Sequence, residues 1–118
     1  MNFNFKELNV WQKALHFAND VIETTETLNC PGKHYRLIEQ IEASSASIAQ
    51  NIAEGKGRFS KKEFKQYLYI ARGSLYETVT LLNLFRLRNW ITQKKLNEME
   101  KTSAEIGKMI NGLINNIV

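Results

Sequence analysis

The residues that most resemble a catalytic or ligand-binding motif lie in one segment. It covers residues 51–64 and reads NIAEGKGRFSKKEF. Two glycines stand one residue apart in it, and basic residues surround them. A phosphate-binding loop of the Walker type needs Gly-x-x-x-x-Gly-Lys-Ser/Thr after a strand. Gly55 and Gly57 are closer together than that and follow a helical pattern. A dinucleotide-binding fingerprint fails on the same context, so we do not expect the segment to hold a nucleotide.

Several residues of this segment have the spacing of a corner between two helices. Gly55 stands where a helix can end in a left-handed residue, which glycine adopts without steric cost. Ser60 and Glu63 form the pattern of a capping box, in which each side chain satisfies a free amide of the first turn. Phe59 and Phe64 fall at the two positions of a hydrophobic staple. The segment therefore predicts a helix end, a turn and a helix start.

The basic residues of this corner have no such structural task, and they are Lys56, Arg58, Lys61, Lys62 and Lys65. Lysines in the first turn of a helix oppose the macrodipole, so their placement indicates an anionic partner. A second basic group surrounds Trp90 and consists of Arg86, Arg88, Lys94 and Lys95. In an up-down bundle the two groups lie at opposite ends, about 35 to 40 Å apart. Together with Arg72, these residues are our candidates for binding nucleic acid.

The net charge of +4 is unevenly placed along the chain. Residues 1–55 hold 4 Lys/Arg against 7 Asp/Glu, a balance of −3, whereas residues 56–118 hold 12 against 5, a balance of +7. This asymmetry indicates a basic surface that could meet nucleic acid. The alternative is that the lysines only solvate exposed helix faces.

A polar constellation spans the second and third predicted helices. Ser47, Asn51 and Glu54 share one helix face by their spacing, and Ser74 and Glu77 share another. An inward Glu77 could accept hydrogen bonds from Asn51 and the serines. We interpret the set as a structural polar network that fixes helix register. The alternative is a small polar pocket, which would not be catalytic because it has no base, metal or reactive nucleophile.

The remaining reactive side chains do not form a recognisable catalytic or metal site. Neither His16 nor His34 lies three residues after a glutamate, so the Glu-x-x-His pairs of di-iron bundles are missing. Cys30 sits in a turn without an obvious activating partner, which is typical of an inert thiol. We expect no metal, no cofactor and no enzymatic activity.

Apolar residues recur at spacings of three and four in four segments, as the buried face of a helix requires. These segments predict helices over about residues 5–28, 33–54, 61–88 and 93–116. The face expected for the first helix consists of Trp11, Ala14, Leu15, Ala18, Val21 and Ile22. Asn4 and Glu7 are its expected start signal. Residues 29–32 end it, because Pro31 lacks an amide donor.

The chain of 118 residues is long enough for one domain with a single core. One proline and six glycines leave little room for turns. Four amphipathic helices with short connections predict an all-α, antiparallel up-down-up-down four-helix bundle, a single domain over residues 1–118. Thr92 is expected to cap the fourth helix, with Ile91 and Leu96 at the staple positions.

Several features predict a soluble, cytoplasmic protein. The N-terminal residues lack the apolar run of a signal peptide. No stretch approaches the roughly 20 apolar residues of a membrane span. The single cysteine excludes an internal disulfide and fits a reducing cytosol.

The motif Ser-Ile-x-x-Asn-Ile-Ala-Glu-Gly at residues 47–55 resembles that of the bacterial four-helix-bundle proteins encoded in 23S rRNA intervening sequences. The resemblance runs over nearly the whole chain and rests on further pairs and triplets: Leu8, Val10, Trp11 and Ala14, Gln40-Ile41, Gly57-Arg58, Glu63-Phe64, Tyr67-Leu68, Ile70-Ala71, Gly73-Ser74-Leu75 and Glu77. It implies an antiparallel four-helix bundle without enzymatic activity that assembles into rings, pentamers among them. Related bundles are accessory variability proteins of retroelement reverse transcriptases, in which a basic surface is thought to bind RNA. Relatives often carry arginine just after the Gln-Ile pair, where this chain has Glu42 and Ala43, so a nucleic-acid contact there would be lost.

Two functional hypotheses follow from these observations. The first is a non-enzymatic homo-oligomer that binds nucleic acid, with RNA favoured over DNA, through its basic second half. The alternative is a protein–protein interaction or structural module without a nucleic-acid role. The third helix carries more apolar residues than one bundle face needs, and these could form an oligomer interface or receive a partner protein. They are Tyr69, Ile70, Tyr76, Val79, Leu84 and Leu87.

Overall fold

The computed structural model describes residues 1–30 and 32–117, and within those ranges it is helical with no strand. A short 3-10 helix precedes four α-helices: Asn4–Glu7, then α1 (Asn9–Glu26), α2 (Tyr35–Lys56), α3 (Lys61–Leu87) and α4 (Gln93–Asn116). The all-α prediction is confirmed, and three of the four helices begin and end within two residues of their expected limits. The predicted helix break at Pro31 lies outside the described residues.

The register between α2 and α3 shows that the two helices run antiparallel. Ser44 Oγ lies 2.8 Å from Thr78 Oγ1, and three residues later Ser47 Oγ lies 2.8 Å from Ser74 Oγ. Residue numbers therefore rise along α2 as they fall along α3. Small side chains on α2 allow the two helices to lie this close together.

The other pairs of neighbouring helices complete a bundle 47 Å long. Asn83 Nδ2 donates to Glu100 Oε2 over 2.8 Å between α3 and α4. Between α1 and α4, Lys13 Nζ lies 2.5 Å from Glu105 Oε2. The Lys13 ammonium, as hydrogen-bond donor and as a charge, holds the pKa of the Glu105 carboxyl below its ordinary value. The described helices include none that is long and apolar enough to cross a membrane.

The buried face of α1 differs from the expected one. Leu15 and Ile22 are 45% and 38% exposed, whereas Phe17 is completely buried. Successive residues of a helix differ by about 100°, so a face that contains Ala14, Phe17 and Val21 leaves Leu15 and Ile22 at its edge. The three-and-four pattern fits both choices, and contact with the other helices decides between them.

The start of α1 was also expected too early. Asn4 and Glu7 belong to the 3-10 helix, and α1 begins after Leu8, which has no side-chain capping bond. The separate segment packs Phe5 edge-on against Trp11, with ring centroids 5.1 Å apart. Leu8 between the two helical segments has extended backbone, with φ of −73° and ψ of 122°.

Both ends of the α3–α4 connection are closed by local hydrogen bonds. Asn89 has a positive φ of 62°, its N–H donates to Arg86 O over 3.0 Å, and the Trp90 N–H donates to Phe85 O over 2.9 Å. This is a Schellman ending with asparagine in the place usual for glycine. The expected cap of α4 is confirmed, because Thr92 Oγ1 accepts from the Lys95 N–H over 3.0 Å.

Candidate nucleic-acid interface at the α2–α3 corner

Gly55 lies inside α2 and not at a left-handed helix end, so the expected role of this glycine is wrong. The helix continues to Lys56, and the residue that ends it, Gly57, has an ordinary φ of −82°. A Cβ on Gly55 would lie 2.6 Å from Tyr67 Cβ and 2.9 Å from Phe64 Cδ1. Glycine is therefore required because α2 and α3 approach each other closely at this corner.

The start of α3 is capped as expected, with one difference in the capping box. Ser60 Oγ accepts from the Glu63 N–H over 3.1 Å. The Ser60 hydroxyl also lies 3.2 Å from Glu63 Oε1, to which it donates. The Glu63 carboxylate thus accepts a hydrogen bond from the Ser60 hydroxyl, and not from a free backbone amide as the capping box predicts.

The expected hydrophobic staple between Phe59 and Phe64 does not form. Phe64 packs against the core, but Phe59 is 104% exposed. The chain turns just before it, where the Arg58 N–H donates to Gly55 O over 3.1 Å. After this turn the Phe59 side chain is left in solvent.

Two basic residues of the corner lie against aromatic rings. The Arg58 guanidinium is 4.7 Å from the centroid of the Tyr67 ring and donates to Tyr67 Oη. Its Nη2 also lies 3.5 Å from Glu54 Oε1. Lys56 Nζ lies 5.9 Å from the centroid of Phe64. These contacts hold the two cations near the surface of the corner and reduce their freedom.

No ion pair in the described part of the chain involves a lysine of the corner. Lys61 and Lys62 are exposed, and Lys56 and Lys65 are half-buried. Among residues 1–30 and 32–117, no carboxylate oxygen lies within 4.0 Å of any of these four ammonium groups. The partial positive charge at the start of α3 adds to theirs, so this end of the bundle can attract an anion.

The second basic group lies at the opposite end of the bundle, and α3 separates it from the corner by about 40 Å at 1.5 Å per residue. Arg86 donates to Asn89 Oδ1 over 2.9 Å and to Gln93 Oε1 over 3.3 Å. The Arg88 guanidinium lies 6.0 Å from the centroid of Trp90. Lys94 is exposed and Lys95 is half-buried. One copy of the chain therefore does not unite the two basic groups.

Arg72 belongs to neither group. It lies within α3, donates to Asn111 Oδ1 on α4 over 3.0 Å, and places its guanidinium 4.9 Å from the centroid of Tyr69. These contacts join α3 to α4, so Arg72 has a structural task that the sequence did not indicate.

Part of the expected polar network is present between α2 and α3. Ser47 and Ser74 bond to each other, and Asn51 Nδ2 donates to Ser47 O over 2.8 Å and to Ser47 Oγ over 2.9 Å. Glu54 and Glu77 are both exposed. The expectation of an inward Glu77 that accepts from Asn51 and the serines is therefore wrong.

The inward polar residue of α3 is the next one along the chain, Thr78. It is completely buried, bonds to Ser44 across the interface and donates to Ser74 O over 2.9 Å. A hydroxyl can satisfy itself on its own helix, whereas a carboxylate at this place would be buried without a cation. No buried side-chain nitrogen or oxygen in the described part of the chain lacks a hydrogen-bond partner.

The other singled-out residues lie apart from one another. His16 is exposed on α1, and the His34 ring packs against the Trp90 ring at an interplanar angle of 42°, with 4.6 Å between centroids. Cys30 is a half-buried free thiol. The described residues contain no group of three or more His, Cys, Asp or Glu side chains that could hold a metal ion.

Glu42 and Ala43, where the resemblance led us to expect arginine, have clear surroundings. Glu42 Oε2 accepts from Thr25 Oγ1 over 2.7 Å, which ties α2 to α1. Ala43 is exposed beside it. Glu42 therefore has a structural contact between α1 and α2.

Comparison with known proteins gives a match to one family model and matches among solved structures. The model of the family described as 23S rRNA-intervening sequence protein matches residues 6–112, which include the motif at residues 47–55. The fold is similar to the crystal structure of a protein with unknown function from the S23 ribosomal protein family of Bacteroides thetaiotaomicron VPI-5482, with a TM-score of 0.82. The two sequences are 30% identical, and the alignment covers 89% of this chain and 97% of that one. No curated protein matches the chain.

Proposed function

The chain belongs to the family of 23S rRNA-intervening sequence proteins, and on that premise we propose that it is a non-enzymatic homo-oligomer that binds RNA through the α2–α3 corner. The observation that carries the proposal is the set of lysines at this corner that have no acidic partner among the described residues: Lys56, Lys61, Lys62 and Lys65. The family takes its name from an RNA, which is why we favour RNA over DNA.

Phosphate is the anion that this arrangement suits. The lysines are spread around one connection and do not converge on a single point, so they can follow a chain of phosphates. Each phosphate that a lysine neutralises releases condensed counterions, which makes the affinity fall steeply with salt. Arg58 is partly neutralised by Glu54 and therefore contributes less to the salt dependence of the affinity.

Charge reversal of the two exposed lysines should weaken RNA binding. In K61E/K62E, we expect the affinity for a fluorescein-labelled single-stranded RNA to fall about tenfold or more at low salt, and the slope of log K against log salt to shrink by about 1.4 to 2. Fluorescence anisotropy over a salt series measures both quantities. The matched control is K101E/K108E, which reverses two exposed lysines of α4. An absence of binding at low salt, or equal losses in the two variants, would reject the proposal.

The homo-oligomer rests on apolar residues that α3 leaves in solvent. Tyr69, Ile70 and Tyr76 are about half exposed and Leu87 is 80% exposed. Beside them, Val79 lines an apolar groove of about 550 Å³ between α3 and α4. Exposed apolar surface of this extent is typical of a contact site. Assembly through it would bring several α2–α3 corners together, which multiplies the charge that one RNA meets.

Acidic residues on this face should dissociate the oligomer. For the double variant I70E/Y76E we expect a molar mass that falls to the 13.7 kDa of one chain, because two carboxylates cannot be buried without partners. Size-exclusion chromatography with light scattering measures the mass, and circular dichroism checks that the helices persist. The control is Tyr35→Glu, at a tyrosine that is 64% exposed on α2. A wild-type protein of 13.7 kDa at micromolar concentrations, or an unchanged mass in I70E/Y76E, would contradict the oligomer.

The second candidate function is a protein–protein interaction or structural module without a nucleic-acid role. The same exposed face of α3 favours it, since that face can receive a different protein as well as a second copy. A monomeric wild type that ignores RNA at low salt would select this alternative. Catalysis forms no part of either proposal. Of the hydroxyls and rings singled out, Ser44 bonds to Thr78, Ser47 bonds to Ser74, and His34 packs against Trp90.

A further inference from the structure

Phe59 is the residue of the α2–α3 corner that neither the fold nor the charge explains. Its side chain is fully exposed, although a phenylalanine that stays in water forgoes the stabilisation that burial would give. It borders a cleft of about 300 Å³ between the α2–α3 connection and the end of α4. Phe64 and Ile117 supply apolar walls, and Lys56 and Lys61 stand at the edge. We refer to this place as the aromatic cleft.

We propose that the aromatic cleft takes one unpaired base of a single-stranded RNA, which stacks on Phe59 while neighbouring phosphates meet Lys56 and Lys61. The inference rests on the proposed function and adds to it the form of RNA that is bound. It also gives Phe59 the role of a binding residue that discriminates between single strands and duplexes.

The rings and charges of the cleft support a base over other ligands. Lys56 Nζ lies near the face of Phe64, so a cation already occupies that ring, whereas both faces of Phe59 are free. A volume of about 300 Å³ is at the lower end for ligand pockets. An aromatic ring flanked by lysines matches how proteins bind single strands, in which bases stack and a basic groove follows the backbone. Bases within a duplex are already stacked on each other and cannot reach the ring.

The test compares single-stranded and duplex RNA of the same length on the full chain. In Phe59→Ala we expect the affinity for the single strand to fall about 5- to 150-fold, the contribution of one stacked base, and the affinity for the duplex to change less than about twofold. Phe59→Trp should retain tight binding, and its added tryptophan emission should be quenched by the single strand, measured against the wild-type signal. Tyr35→Ala, at an exposed aromatic residue on the first turn of α2, is the control and should bind like wild type.

Each outcome decides for or against the cleft. Equal losses for both RNA forms, or no loss for either, overturn the inference. A changed molar mass of Phe59→Ala also overturns it, since the ring would then belong to a subunit contact. Single-stranded DNA with the same dependence on Phe59 supports it, because the base and not the sugar is stacked. Binding that needs Lys61 and Lys62 but not Phe59 rejects the cleft alone, whereas no binding of any strand rejects the proposed function as well.

Discussion

Replacing Gly55 with alanine should lower the free energy of unfolding by about 1 to 3 kcal/mol, the usual cost of overpacking a core. The expected sign is opposite to that of helix propensity, which favours alanine over glycine by about 1 kcal/mol. The new methyl group would lie 2.6 Å from Tyr67 Cβ. This atom is next to the backbone and cannot swing away, so α2 and α3 would have to separate. Denaturation in urea, followed by circular dichroism, measures the change.

Gly73 provides a matched control on the partner helix. It also lies inside an α-helix, but a Cβ added to it would meet nothing within 4 Å. Gly73→Ala should therefore raise the free energy of unfolding by up to about 1 kcal/mol. Both variants are compared at one protein concentration, because association contributes to apparent stability. Changes of the same sign in the two variants would show that packing at Gly55 does not decide the outcome.

The close approach at Gly55 also shapes the proposed binding surface. It brings Tyr67 against α2. The Arg58 guanidinium, which lies in the turn after α2, then packs on the face of the Tyr67 ring. Arg58 is thereby fixed beside Lys56 and the first turn of α3. Gly55, whose spacing suggested a phosphate loop, thus influences the basic corner by allowing α2 and α3 to pack closely. Its role is not contact with a ligand.

The sequence predicted the helices because their signals are local. Spacing of three and four identified all four helices, and Ser60 and Thr92 cap α3 and α4 as expected. Features that depend on a distant partner were not predictable. Gly55 is explained by Tyr67, which lies twelve residues away on another helix. Thr78, and not Glu77, is the residue that faces the core. This choice depends on Ser44, which bonds to Thr78 from α2.

The candidate site was predictable to the same extent. The positions of the basic residues follow directly from the sequence, as does their division between two ends of the bundle. Which of them are neutralised does not, since Arg58 and Arg72 find partners that only the fold brings near. Phe59 has the spacing of a staple, and its exposure depends on the turn closed between Arg58 and Gly55.

Replacing Phe85 with alanine should have the larger effect on stability, a loss of about 3 to 5 kcal/mol. Phe85 is completely buried, and its ring centroid lies 5.1 Å from that of Trp90. The substitution leaves a cavity and removes the apolar contact that accompanies the Schellman ending of α3. Trp90 O also accepts from the Asn29 N–H over 3.2 Å, so loss of its support loosens two connections at once. Urea unfolding followed by circular dichroism measures the loss.

Leu87→Ala is the control for Phe85→Ala. It tests whether any truncation at this end of α3 lowers the free energy of unfolding. It lies two residues from Phe85 but is 80% exposed, so Leu87→Ala should change the unfolding free energy of the subunit by no more than about 0.5 kcal/mol. Measurement at low protein concentration keeps the proposed association through Leu87 from contributing to the result. In Phe85→Ala the near-ultraviolet circular dichroism of Trp90 should weaken as well, because the indole loses a fixed neighbour. A loss below about 1 kcal/mol with an unchanged Trp90 signal would mean that the core closes around the missing ring. His34, which packs against Trp90, would then be enough to hold the indole in place.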